Sequence, residues 1–209
     1  MSPDPMQRLA GALASRGMSL VQVRDGAEAL AYLLARIPQG ARVMNGGSDT
    51  LERIGFLQAL GSGRYDWLRP GIAAIQELEE RTRVRRQATT ADWLVGGINA
   101  ITLAGEIVNV DGSGNRLAGY AFGAGKVILV AGVNKVVPDL AAAFDRIRNT
   151  AAVQECRKLG KETPCAVTGQ CDNDACRGPD RQCGKILIIE NEKIAGRITV
   201  VLVDEPLGF

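Results

Sequence analysis

Residues Lys126-Val-Ile-Leu-Val-Ala-Gly-Val-Asn-Lys135 decide the architecture. Val127 to Ala131 are aliphatic without interruption, whereas a strand with one wet face alternates apolar and polar residues. An unbroken run therefore marks a strand covered on both sides, as in a parallel sheet flanked by helices. Gly125 and Gly132 bound it, and Asn134 and Lys135 follow directly. In open α/β sheets ligands bind beyond the carboxyl ends of the strands, which places Asn134 and Lys135 at a ligand rim. A lysine there neutralises an anion, or becomes a base once burial lowers its pKa; an ordinary surface lysine is the plainer alternative.

Upstream, helical spacing over residues 5–16 and 26–37 brackets a short strand at Ser19–Val23. A brief strand, 41–44, runs into Asn45-Gly-Gly-Ser-Asp-Thr50 and then a helix over 51–60. Further helix is expected over 70–82, extending toward Thr90, then a buried strand at 93–95. Downstream, strands are expected at 106–110, 117–122, 126–131, 185–189 and 198–203, with a helix from Pro138 toward Leu159. This order predicts an α/β fold with a mostly parallel sheet and helices on both faces.

With 209 residues, 46% of them hydrophobic, the chain can bury one sizeable core, and a single domain spanning 1–209 is expected. The balance of 25 basic and 23 acidic residues is too even for a nucleic-acid footprint. The one basic run, Arg81 to Arg86, follows Glu77, Glu79 and Glu80 and reads as the solvated end of a helix. No stretch reaches the length of a membrane span, and Asp4, Arg8 and Arg16 interrupt any signal-like start, so a cytoplasmic location is expected. Histidine is absent, which excludes a Ser-His-Asp triad, a Cys-His pair and imidazole zinc sites. Any acid or base must come from Asp, Glu, Lys, Cys or Tyr.

Four segments carry candidate chemistry. In Gly46-Gly47-Ser48-Asp49-Thr50 the glycines permit a tight turn and the following helix offers free amides to an anion. The competing reading is a capping box of Asp49 with Glu52, which would satisfy those amides internally. Asn99, Thr102, Asn109 and Arg116 exceed what turns require; Asn99, Thr102, Asn115 and Arg116 are candidate ligand-binding residues, with Asp111 and Lys135 the candidate catalytic pair and Asn134 beside them. The Gly123-Ala-Gly-Lys126 stretch lacks P-loop spacing, and no Gly-x-Gly-x-x-Gly opens a helix. Finally, Cys165, Cys171, Cys176 and Cys183 fall in a polar stretch, 160–184; they are candidate ligands for an iron-sulfur cluster or zinc, with plain reduced thiols, Cys156 included, as the alternative.

Several strings together resemble the lactate-utilisation (LUD) domain family: Asn99-Ala-Ile-Thr102, Ile107 through Arg116, Phe122-Gly-Ala-Gly-Lys-Val127, Val133-Asn-Lys-Val136, Arg146-Ile-Arg-Asn149, Thr163 through Cys171 and Val201 through Phe209. The likeness runs from about residue 40 onward and is weak over residues 1–35. The resemblance implies a fold similar to the phosphosugar isomerase and coenzyme A transferase group, with the Gly46–Thr50 turn at the pocket. It also implies a role in oxidising L-lactate to pyruvate beside iron-sulfur partner proteins. Absence of a compact four-cysteine run counts against direct electron transfer by this chain. Two other functions stay open: a stand-alone isomerase or transferase acting on a phosphosugar or acyl-coenzyme A, and a regulatory or scaffolding module. Expected partners are a small organic anion and possible further copies of the chain, with no nucleic acid and no membrane span.

Overall fold

The computed structural model describes residues 4–209. Ten strands are β1 (Ser19–Val23), β2 (Arg42–Asn45), β3 (Asp66–Trp67), β4 (Trp93–Gly97), β5 (Ala100–Thr102), β6 (Ile107–Asp111), β7 (Lys126–Gly132), β8 (Val136–Val137), β9 (Lys185–Ile189) and β10 (Ile198–Val203). Six form one sheet in the order β1-β10-β7-β4-β2-β3, with every neighbouring pair parallel. The aliphatic run of β7 lies inside this sheet and divides by parity. Val127, Leu129 and Ala131 enter the core beneath the helix Pro5–Ser15, through Leu9 and Leu13. Ile128 and Val130 enter the opposite core, beneath Leu33 and Ile37 at the end of the helix Gly26–Arg36. Strand β10 repeats the pattern, with Val200 and Leu202 on the first side and Val201 and Val203 on the second. Burial on both faces explains why neither strand shows polar alternation.

The remaining strands form a second sheet, β8-β5-β6-β9, in which β6 runs antiparallel to β5 and β9. Val108 and Val110 meet Ala143 and Ile147 from the helical segment that begins at Leu140, while Ile101 and Ile107 reach back into the main core. Ligand-bearing segments expected above one sheet are thus shared between two.

Residues 117–122, expected as a strand, are helical: a helix Asn115–Ala118 continues into a wider π-type turn, Gly119–Gly123. Leu117 and Tyr120, three apart and both buried, share its inner face, a helical period that the glycines obscured. The expected 51–60 helix is broken at Gly55, whose φ is 77°. The expected 70–82 helix is two, Leu68–Ala74 and Leu78–Gln87. Among the described residues no helix is long and apolar enough to cross a membrane.

Candidate functional site

Where the two sheets meet lies a cavity of about 710 Å³. Its floor is built from the carboxyl ends of β2 and β4, the turn after β7 and the end of β6; one wall is the helix Leu78–Gln87 and another carries Ala151, Ala152 and Glu155. Cavities of about 300–1,000 Å³ typically hold drug-sized ligands, so this one exceeds the needs of a three-carbon acid.

Lys135 is the unusual residue. It ends a short 3-10 turn, Val133–Lys135, and is only 2% exposed although it lines the cavity. Its Nζ donates to Thr50 Oγ1 at 2.7 Å. Among the described residues no carboxylate lies within ion-pair distance of it. Burial is the main cause that lowers its pKa to about 7, with Arg146 and Arg116 adding repulsion and Asp49 partly opposing them. An amine held at that value exchanges protons near neutral pH, which an ordinary lysine does not.

Arg116 approaches from the helix after β6. Its Nε lies 3.4 Å from Asp111 Oδ2 and its Nη2 donates to the Val110 carbonyl at 2.6 Å, leaving Nη1 without a partner among the described residues. Gly46 makes room for the arginine stem: a Cβ there would sit 2.7 Å from Arg116 Cδ. Asp111 is fully engaged, because its Oδ1 also accepts from the Ser113 and Gly114 amides at 2.8 Å. Its geometry is that of a residue holding Arg116 and the turn.

The Gly46–Thr50 turn contributes as follows. Ser48, and not Asp49, caps the helix Asp49–Arg53 by accepting from the Leu51 amide at 3.3 Å. Asp49 is the first helical residue and pairs with Arg53 at 2.6 Å, while Glu52 pairs with Lys158 at 2.5 Å, so the expected Asp49–Glu52 capping box does not form. The cap moved by one residue because Ser48 has the extended backbone a cap needs.

Gly46, Gly47, Ser48, Thr50, Asn99, Asp111, Asn115, Arg116 and Lys135 therefore share one cavity. Thr102 and Asn134 do not line it. Thr102 bonds Glu106 across the β5–β6 hairpin, and Asn134 pins the C-terminal segment, donating to the Gly208 carbonyl and accepting from the Leu207 amide, both at 3.0 Å. Asn99 is partly structural, since its Oδ1 accepts from the Val110 amide at 2.9 Å.

Several contributors escaped the sequence reading. Arg81 and Arg85, taken there for a solvated helix end, line the cavity with Arg69. Their four-residue separation, in register with Leu78, was a legible signal of one shared helix face. Arg146 donates to the Asn99 carbonyl at 2.5 Å and the Asn134 carbonyl at 3.0 Å, tying both sheets' loops together. Glu155 brings a half-buried carboxylate to the wall opposite Gly47, in a helix whose sequence carries no motif.

The cysteines pack on different clusters yet remain within electrostatic reach, since Cys171 feels Cys183, Cys165 and Cys176, and Cys176 feels Cys183 and Cys165. Cys165 packs with Cys156 and Val153, whereas Cys183 packs against the core of the second sheet. Burial pushes the Cys156, Cys171 and Cys176 thiols up, toward the protonated form. Among the described residues no three Cys, Asp, Glu or His side chains come together to hold a metal ion. Cys165, Cys171, Cys176 and Cys183 thus lie near one another without three of them converging on one position, and no step is assigned to a metal.

The sequence pattern of the LUD domain family matches residues 6–203. Among solved structures, a DUF162 family protein from Deinococcus radiodurans matches with a TM-score of 0.54 at 12% identity, over 95% of this chain and 96% of that one, a likeness of fold alone. Ribose 5-phosphate isomerase A from Neisseria gonorrhoeae matches at a TM-score of 0.32 and 14% identity, over 67% of this chain and 57% of that one, too loosely to carry an argument. No curated protein matches the sequence.

Proposed function

Since the chain belongs to the LUD domain family, whose members are associated with lactate utilisation, we propose that its cavity binds a small 2-hydroxy or 2-oxo carboxylate and that the protein is a component of the oxidation of L-lactate to pyruvate. One observation carries the reading: a lysine buried without a carboxylate partner faces the same cavity as an arginine with a free guanidinium nitrogen. Arg116 takes the substrate carboxylate, held in aim by Asp111. Lys135 exchanges a proton with the oxygen on the adjacent carbon, and Ser48 and Thr50 orient that oxygen through their hydroxyls. Electrons leaving the substrate need an acceptor outside this chain, and iron-sulfur partner proteins are the class proposed for it.

Titration calorimetry with L-lactate and pyruvate tests the binding. Saturable binding, abolished in Arg116→Gln at unchanged thermal stability, supports it; no heat from either acid overturns it. Retained growth on lactate after deletion of the gene, with no second copy, overturns the pathway role.

The cavity's volume and the arginines at its mouth favour a second reading, a phosphorylated ligand such as a phosphosugar or acyl-coenzyme A. A rise in melting temperature with these compounds and none with hydroxy acids would select it.

A further inference from the structure

We infer that Lys135 is a nucleophile that forms a covalent imine with a 2-oxo acid held in the cavity. The inference rests on the preceding reading, that the cavity takes a small carboxylate.

An amine attacks a carbonyl only when it is unprotonated, uncommitted and approachable. Lys135 meets all three conditions by geometry. Its one side-chain contact is the neutral hydroxyl of Thr50, itself 1% exposed. Of the three side-chain carboxylates that line the cavity among the described residues, Asp49 pairs with Arg53 and Lys158 and Asp111 with Arg116, while Glu155 stands on the wall beside Gly47. The nearest charges that bear on it, Arg146 and Arg116, are both cationic and disfavour an ammonium between them. Lys135 lines the cavity, and opposite the amine β4 ends in Gly97, where an added Cβ would touch Nζ at 3.9 Å and press on Ser48 Oγ at 2.9 Å, so glycine keeps a side chain out of that approach. The lowered pKa agrees with this geometry and gives on the order of a thousandfold more neutral amine at pH 7 than an ordinary lysine has.

The step balances without any oxidant. The Nζ lone pair attacks the 2-carbonyl carbon, forming a C–N bond and a carbinolamine. The former carbonyl oxygen then leaves as water, carrying the equivalent of the two amine protons, and a C=N bond remains. Two groups in the cavity are available for the proton transfers. Ser48 Oγ would lie 2.9 Å from that same Cβ position on Gly97, beside the amine. Glu155 has no ion-pair partner among the described residues and faces the cavity, where it relays a proton to the departing oxygen. Arg116 anchors the carboxylate, leaving the carbonyl carbon toward Lys135.

The test is reductive trapping on the full chain. The protein is incubated at neutral pH with pyruvate and sodium cyanoborohydride, digested and mapped by mass spectrometry, while pyruvate binding without reductant is measured by calorimetry. The expected result is one 1-carboxyethyl group per chain, confined to Lys135, with labelling suppressed by excess L-lactate and absent in Lys135→Met. The mapping on the native chain decides the matter even where that variant folds poorly. Binding without an adduct, or adducts scattered over surface lysines, overturns the imine and leaves the carboxylate site standing. Neither binding nor adduct overturns both.

Discussion

Replacing Lys135 with methionine keeps the length of the side chain and removes its charge, so its effect on stability must vary with pH in a defined way. In the unfolded chain this lysine holds its proton up to its ordinary value of 10.5; in the folded chain it gives the proton up near 7, chiefly because burial penalises the charge. Between those limits the unfolded state binds more protons, and folding stability rises with pH. Below about pH 7 both states carry the proton, the cost of burying it is fully present, and the dependence is flat. The drop from 10.5 to about 7, at about 1.4 kcal/mol per pH unit, makes the full span on the order of 5 kcal/mol. Lys135→Met lacks this term and loses only the hydrogen bond to Thr50, about 1 kcal/mol and independent of pH. The variant is therefore the more stable protein in mild acid, and its advantage shrinks by about 1.4 kcal/mol per unit as pH rises from about 7.5 to 10. Urea denaturation followed by the fluorescence of the half-buried Trp67 and Trp93 measures the difference. Tyr120, whose pKa burial raises to about 12, titrates alike in both proteins and cancels. A difference that stays constant across this range, or grows with pH in the variant's favour, would refute the assignment of Lys135 as a buried, easily deprotonated amine.

Gly46→Ala puts a Cβ 2.7 Å from Arg116 Cδ, and the flexible stem can yield, so calorimetry should show carboxylate affinity falling by about tenfold, or about 1.4 kcal/mol, with melting temperature nearly unchanged. The buried Tyr120 hydroxyl has no hydrogen-bond partner among the described residues, and Tyr120→Phe is expected to raise unfolding free energy by about 1 kcal/mol in urea titration. Alkylation of the native protein should reach the half-buried Cys171 and Cys183 well before Cys156 and Cys165, which at 1% and 7% exposure need the chain to open; equal rates by peptide mapping would contradict the placement of that pair.

The parallel sheet was legible because its evidence is local: five aliphatic residues in a row at Val127–Ala131 permit few other structures. The nine cavity residues were legible as a Gly-Gly turn, Gly46 and Gly47, and seven polar side chains gathered at strand ends. What was hidden depends on distances along the chain. Residues 117–122 carry a glycine where a helix usually has a larger residue, because Gly119 presses against Leu94, whose Cδ2 would lie 2.4 Å from any Cβ. The division of strands between two sheets is set by pairings such as Asp111 with Lys185, separated by about a third of the chain. Arg81 and Arg85 do lie on a solvated helix as expected, and that they also border the cavity was hidden because charge on an exposed helix looks the same whether it meets solvent or a ligand. Asn134 sat at the expected rim, yet its amide is spent on the backbone of the C-terminal segment.

The helix Leu78–Gln87 forms a cavity wall yet has no buried residue; only the partly covered Val84 touches the main core. Apart from Arg85, which donates to Ser113 Oγ at 2.9 Å and Asn115 Oδ1 at 2.7 Å, this wall can drift in sequence at little thermodynamic expense. Arg81 could be exchanged for an apolar or acidic side chain while Lys135, Arg116 and the strands beneath them stayed as they are. Evolution would then have, in this one helix, a dial for choosing the far end of the bound molecule that leaves the reacting end untouched.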